Sequence, residues 1–258
     1  GQISRTPIKH RLRQLGLEVK RVDKDAPIGI RSEIPEIDEA DISLINLVSA
    51  YSMGNPLRHW ALLNSVRWVC NQGVPGDLVE CGVWRGGNLI LMALASAGSI
   101  GPTARKVWGY DTFEGMTEPT DVDIEFHTGE LAVDEYSRRQ TRSGSDWCLA
   151  TIDEVNFNVT EHCKTAPVSL VKGPVETTLL QEENLPKAIS VLRLDTDWYE
   201  STALELEVLF PRLAVGGILI IDDYGYWSGA RKAVDDYFRH QAVFLHRIDH
   251  SCRLVVKA

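Results

Sequence analysis

Along most of this chain apolar residues come in short unbroken runs, each followed by a stretch in which they recur at helical spacing. Unbroken runs of branched aliphatics suit strands buried on both faces, as in a parallel sheet. The most pronounced is Ile218-Leu219-Ile220-Ile221, bounded by Gly216-Gly217 and ending in Asp222-Asp223-Tyr224. A second, over 189–194, ends in Asp195-Thr196-Asp197, and shorter runs at 78–81, 106–110 and 168–171 complete the parallel set. Helical spacing falls at 41–48 (Ile42, Ile45, Val48), at 57–72 (Leu62, Val66, Val69) and at 88–97. Gly73 and Pro75 end the second of these. A further helix, which Ser201-Thr202 can cap, runs to about Phe210, where Pro211 stops it. The last covers 231–240, with Val234, Tyr237 and Phe238 facing inward. Alternating runs at 243–248 and 253–256, joined by Asp249-His250-Ser251, predict an antiparallel pair that closes the sheet. The order of elements predicts a doubly wound α/β sheet, mostly parallel.

Two regions stand outside this rhythm. Residues 1–40 carry a basic cluster from Lys9 to Arg21 and two prolines, Pro27 and Pro35, and read as an arm. With the helix that follows, residues 1–50 form an arm and helical cap, and 51–258 the main domain. Such an arm needs a surface to pack against, which points to a homo-oligomer. Residues 114–150 hold Pro119, many acids and little periodicity; an irregular stretch of that length is usually a functional loop, here read as a lid.

At 258 residues, 44% hydrophobic and 24% charged, the chain matches an ordinary globular protein. A net charge of −9 argues against nucleic acid as the main partner. No apolar run approaches the roughly 20 residues that span a bilayer, and no apolar signal core is present, so no membrane and no export are expected. The five cysteines form no CxxC, which fits free thiols in a reducing cytoplasm.

The chemistry-bearing residues gather at strand ends, the edge where open α/β sheets bind ligands. Glu80-Cys81-Gly82-Val83-Trp84-Arg85-Gly86-Gly87 carries the chain from strand to helix through glycines, either as a structural turn or as a turn that brings a ligand against main-chain amides. Its spacing is not GxGxxG, which disfavours a dinucleotide and leaves room for a nucleoside without phosphate. Asp111, ending the next strand, is either a cap or an acceptor for ribose hydroxyls. If the strands ending at 194 and 221 are neighbours, Asp195, Asp197, Asp222 and Asp223 crowd one edge. Like charges so close need a proton or cation, and Mg²⁺ suits an all-oxygen set, although some of these acids can equally cap helices. None of the seven histidines has the spacing of a zinc site. His127, in the lid, is a solvated loop histidine or a base. Trp147, Trp198 and Trp227 wall a pocket or simply pack.

Four segments together resemble the macrocin O-methyltransferase (TylF-type) family over about residues 55–240. They are the stretch from Val74 to Gly87, Asp111-Thr112-Phe113-Glu114-Gly115-Met116, the stretch from Leu192 to Thr202, and Gly216-Gly217 through Gly225. The resemblance implies a Rossmann-like class I methyltransferase fold, S-adenosylmethionine as methyl donor, Mg²⁺ dependence, and a sugar or related small-molecule hydroxyl as acceptor. It places the donor on Glu80, Gly82, Trp84, Gly86 and Gly87 for the methionine end, on Asp111 and Thr112 for the ribose, and near Trp147 for the adenine. It places the metal on Asp195, Asp222 and Asp223. Asp197 is the preferred general base for the acceptor hydroxyl, with His127 second. The rivals are a catechol or phenol O-methyltransferase, a nicotinamide-dependent oxidoreductase and a non-catalytic cofactor-binding subunit. The oxidoreductase is disfavoured because GxGxxG is missing and no tyrosine is followed four residues later by lysine.

Overall fold

The computed structural model describes residues 29–98, 105–142, 144–164 and 166–258. The chain divides into Gly1–Asp38 and Glu39–Ala258. Of the first unit, the described part holds a short 3-10 turn, Gly29–Ser32; the basic cluster from Lys9 to Arg21 lies outside the described residues. Everything below concerns the second unit.

Its elements follow the expected alternation. Helices α1 (Glu39–Val48) and α2 (Pro56–Asn71) precede strand β1 (Asp77–Cys81), α3 (Gly87–Ala97) and β2 (Val107–Asp111). Then come α4 (Ala132–Arg138), α5 (Ile152–His162), β3 (Val168–Lys172), α6 (Val175–Thr178) and β4 (Ile189–Leu194). The chain ends with α7 (Tyr199–Leu209), β5 (Leu213–Ile221), α8 (Ser228–Tyr237), β6 (His246–Arg247) and β7 (Arg253–Val256). The sheet order is β3-β2-β1-β4-β5-β7-β6, parallel from β3 to β5 and antiparallel at β5–β7 and β7–β6. This is the doubly wound, mostly parallel sheet with an antiparallel C-terminal pair that the hydrophobic pattern predicts. No described helix is long and apolar enough to cross a membrane.

The unbroken runs are explained by cover on both faces. Ile218 and Ile220 pack with Leu62, Val66 and Leu89 of α2 and α3, whereas Leu219 and Ile221 pack with Leu206, Leu209 and Val234 of α7 and α8. Successive side chains of a strand point to opposite faces, so a strand covered on both sides must be apolar at every position. The chain leaves β1 toward β2 and β3 and returns through β4 to the other side, so the topological switch lies between β1 and β4. The crevice at such a switch point is where ligands bind.

Four expectations are corrected. Strand β5 starts at Leu213 and runs through Gly216-Gly217, which lie inside a register shift against β4. A Cβ on Gly217 would come within 2.9 Å of the Ser190 carbonyl, so the two strands close up only over glycine. Helix α7 starts at Tyr199, so Ser201 and Thr202 lie buried in its first turn instead of capping it. The cap comes from the segment 114–150: Asp123 Oδ1 accepts the Tyr199 amide at 2.9 Å. The segment 114–150 is correspondingly not irregular throughout; it contains α4 and bridges Ile124 to Leu131 and Glu125 to Trp227. Finally, only His246–Arg247 of the run 243–248 pairs as strand.

Candidate functional site

The carboxyl ends of β1 and β4 meet closely. Asp195 donates its amide to the Cys81 carbonyl at 2.9 Å, and Gly82 follows with φ +82°. A Cβ there would lie 2.0 Å from the Asp195 carbonyl oxygen. Glycine is therefore required at 82 for backbone approach as well as for its positive φ.

The acid at the end of β2 braces this turn. Asp111 Oδ2 accepts the amides of Val83 (2.7 Å) and Trp84 (3.2 Å), and Oδ1 accepts that of Phe113 at 2.8 Å. Burial pushes its carboxyl up, and these amides pull it back. The Thr112 hydroxyl donates to the Gly115 carbonyl. Gly86 and Gly87, expected on the donor, face protein in this structure. Val155 of α5 stands 3.2 Å from where a Gly86 Cβ would be, and the Gly87 amide is given to the Tyr51 carbonyl at 2.9 Å. Glu80 is fully buried; its Oε1 accepts from Asn88 (2.9 Å) and Arg193 (2.7 Å), while Oε2 has no partner. Burial pushes this carboxyl up to about 7 against the pull of Arg193 and Asn88.

The ends of β4 and β5 bring the four aspartates to one place but sort them into two roles. Asp195, Asp197 and Asp223 each turn a carboxylate oxygen inward, all within 4.8 Å of one another. Asp197 reaches the group because its backbone is left-handed, φ +68°. The second oxygen of Asp223, an 8% exposed residue, is buried without a partner. Asp222 faces elsewhere: Oδ1 is held by Arg193 and Oδ2 by Arg58 at 2.6 Å. Arg193, 3% exposed, also contacts Glu80 and Asp195 at 2.7 Å each. Arg58 is anchored in turn by Asp249, 2.7 Å from its Nε.

Six carboxyl groups (Glu80, Asp195, Asp197, Asp222, Asp223, Asp249) thus face two guanidiniums. The deficit falls on Asp197 and Asp223, which face each other across the trio with neither guanidinium on them and so need a proton or a cation. Burial raises Asp197 to about 7 and, with the neighbouring acids, holds Asp195 and Asp223 well above the usual carboxylate range. An all-oxygen trio with an unsatisfied buried acceptor is a donor set for a hard divalent cation.

Two cavities open along this edge. One, about 390 Å³ including its mouth, lies over the ends of β2 and β3 and is lined by Gly82, Asp111, Thr112, Gly173, Glu176 and Thr196. The other, about 990 Å³ on the same measure, holds the acid trio, Asp222, Arg58, Asn88 and an aromatic wall of Trp84, Trp147, Tyr226 and Trp227. Asp195 lines both. Trp147, expected beside the adenine, stands in the second cavity, its ring edge-on to Trp198 and Trp227 at 5.6 and 6.1 Å. His127 is exposed, 6.1 Å from the ring of Tyr226 and 5.9 Å from that of His250. It neighbours the second cavity and is not among the residues lining it.

Sequence reasoning missed Arg58, Arg193, Asn55 and Asp249. Arg193 carried a signal, since a lone charge inside an otherwise apolar buried strand must find counter-charges. Asn55, directly before Pro56, carried a helix-start signal; Asp249, in the turn before β7, carried none, because its partner Arg58 is 191 residues away.

Comparison with known proteins bears on this geometry. The model of the family described as Macrocin-O-methyltransferase (TylF) matches residues 46–255. The chain is 41% identical over 174 residues to an 8-demethyl-8-(2,3-dimethoxy-alpha-L-rhamnosyl)-tetracenomycin-C 4'-O-methyltransferase of Streptomyces olivaceus, covering 67% of this chain and 61% of that one. It is 35% identical over 175 residues to a demethyldecarbamoylnovobiocin O-methyltransferase of Streptomyces niveus, covering 66% and 60%. The matched region thus spans about three fifths of these curated relatives' length. Among solved structures, the O-methyltransferase NovP superposes with a TM-score of 0.65 at 30% identity, over 81% of this chain and 82% of that one.

Proposed function

The chain belongs to the macrocin O-methyltransferase (TylF) family, and on that premise we propose that it transfers a methyl group from S-adenosylmethionine to a hydroxyl of a sugar or glycosylated small molecule, with Mg²⁺. The observation that carries this reading is the sharing of Asp195 by the two cavities. Gly82, Asp111 and Thr112 of the first cavity would hold the adenosine end of a donor and Asn88 of the second its methionine end, which would supply the methyl beside the acid trio. The relatives' names support the acceptor class, since one methylates a rhamnosyl tetracenomycin and another, from Micromonospora griseorubida, is a mycinamicin III 3''-O-methyltransferase.

Asp195 and Asp223 would hold the cation, with Asp222 joining them where Arg58 and Arg193 release it, and Asp197, beside them, would stay free to take the acceptor's proton. A bound divalent ion lowers the pKa of a hydroxyl that coordinates it. Asp197 is the preferred general base; His127 is second, reaching the acceptor from the cavity's rim. The aromatic wall gives a sugar ring an apolar face to stack on and keeps water from the methyl. Glu80 Oε2, buried and unpartnered, offers one acceptor to an amine such as that of methionine.

Two further parts of the reading rest on separate observations. An apolar groove between α2 and the β5–β7 edge, with Trp60, Trp68, Ile248 and Leu254, supports a homo-oligomer. The five cysteines, all free, support a reducing, cytoplasmic setting. The test is incubation of the protein with S-adenosylmethionine, Mg²⁺ and a panel of glycosides and phenols, followed by mass spectrometry. Methylated glycoside and S-adenosylhomocysteine in equal amounts are expected. Transfer to phenols alone would move the protein to the other acceptor class, and full turnover in excess chelator would remove Mg²⁺.

A further inference from the structure

Helix α7 carries a carboxyl where its packing calls for a hydrocarbon. Its face toward the sheet holds Leu206 and Leu209, and Glu205 sits beside them, fully buried. One carboxyl oxygen, Oε2, accepts the Thr196 hydroxyl at 3.1 Å; the other, Oε1, is buried without a partner. The Cys81 thiol and the Glu176 carboxyl are its neighbours, and no guanidinium or ammonium pairs with it among the described residues. Burial, with Glu176 nearby, holds the carboxyl well above the usual carboxylate range, so it stays protonated near neutral pH. A leucine here would leave no oxygen unpartnered. What Glu205 has and a leucine lacks is the bond to Thr196.

Thr196 is the middle residue of the turn that carries the site. Asp195 before it gives its amide to the Cys81 carbonyl and lines both cavities. Asp197 after it holds the left-handed φ of +68° that brings its carboxylate to Asp195 and Asp223. A non-glycine residue keeps such a conformation only where its surroundings fix it. Trp198 gives its amide to the Thr196 carbonyl at 2.8 Å, closing the turn over Asp197, and Glu205 holds the Thr196 hydroxyl. The first bond belongs to the turn itself; the second ties the turn to helix α7.

From this placement we infer that Glu205 is a positioning residue: through the Thr196 hydroxyl it holds the Asp195–Asp197 turn in the shape that the donor and the cation both require. It lines neither cavity and acts only through Thr196. The net worth of one hydrogen bond corresponds to about a two- to tenfold change in an equilibrium. A ligand's apparent affinity falls with the fraction of protein that has left the competent shape. Losing this bond therefore weakens both ligands together, by about the same factor.

The inference rests on the proposed function above. Calorimetric titration of the full chain with S-adenosylhomocysteine and, separately, with Mn²⁺, alongside thermal melts, tells the two apart. Glu205→Leu is expected to melt no lower than the parent and to raise both dissociation constants by about two- to tenfold. Glu205→Gln keeps an acceptor oxygen for Thr196 and should restore parent binding. Thr196→Val leaves Glu205 without a partner, so its melting temperature should fall while both ligands weaken. In the double variant, Thr196→Val with Glu205→Leu, neither polar group of the pair remains, so the melting temperature should recover while the affinities stay low. A merely structural role would restore stability and affinity together, and that result overturns the inference. Parent-like affinity for either ligand in Glu205→Leu overturns it too, as does binding in Glu205→Gln as weak as in Glu205→Leu. Should Glu205→Leu fail to fold, Thr196→Val decides: weaker binding of both ligands supports the inference and parent-like binding overturns it. A parent that binds neither ligand refutes the proposed function, and the inference falls with it. A parent that binds both, with variants that match it, refutes the inference alone.

Discussion

Gly82→Ala tests the link between the two halves of the site. A methyl at this position would stand 2.0 Å from the Asp195 carbonyl oxygen and 2.6 Å from its carbonyl carbon, where only backbone can yield. The residue would also have to keep φ +82°. Holding a non-glycine residue in that region costs about 1–3 kcal/mol, and relief of the overlap must come from moving the β4 end. In a domain of this size each kcal/mol lowers the melting temperature by about 2–4 °C, so a fall on the order of 2–12 °C is expected. The larger consequence is local. Asp195 lines both cavities and belongs to the acid trio, so a displacement of its backbone should weaken S-adenosylhomocysteine and Mn²⁺ binding in the same variant. Calorimetry with each ligand, alongside a thermal melt, reads both. Gly87→Ala is the control, because its Cβ would meet Ser52 and Tyr51 at 2.7–2.8 Å, away from β4. Gly82→Ala protein that binds both ligands as the parent does, or loses only one, would refute the coupling of the two cavities through this glycine.

Asp197→Asn should lower kcat by about 10²–10⁴-fold while S-adenosylhomocysteine affinity is largely kept; turnover undiminished in that variant would point to another base. Asp123→Ala strips the Tyr199 amide of its acceptor and the segment 114–150 of one hold on α7. A loss of about 0.5–2 kcal/mol by denaturant titration and faster proteolysis within 114–150 are expected, with S-adenosylhomocysteine affinity largely kept; unaltered proteolysis would mean the segment is held elsewhere. The cation-free protein should melt at a lower temperature at pH 8 than at pH 5. Glu80 and Asp197 keep their protons to about 7 when folded and lose them near 4 when unfolded, so stability falls as pH rises across that window. His59, lowered to about 4 by burial, opposes this and is outnumbered. Mg²⁺ should narrow the difference, and an equal or higher melting point at pH 8 without it would refute the argument.

Much of the fold was legible because burial on two faces leaves a plain mark. A strand with helices above and below has no polar side to show, and Ile218 to Ile221 could be little else. The acids after Leu194 and Ile221 were bound to reach the ligand-binding edge, since a parallel strand has only one carboxyl end. What the chain could not disclose was which way those acids turn. Asp197 joins Asp195 and Asp223 through a left-handed backbone, φ +68°, and Asp222 is turned aside by Arg58, 164 residues away. Trp147 packs edge-on against Trp198 and Trp227, brought there by a segment whose anchor, Asp123, reads as one more loop acid. Periodicity is written into neighbouring residues, so it survives in one dimension. The direction of a carboxylate depends on charges that only folding brings near, and that was left for the tertiary structure to decide.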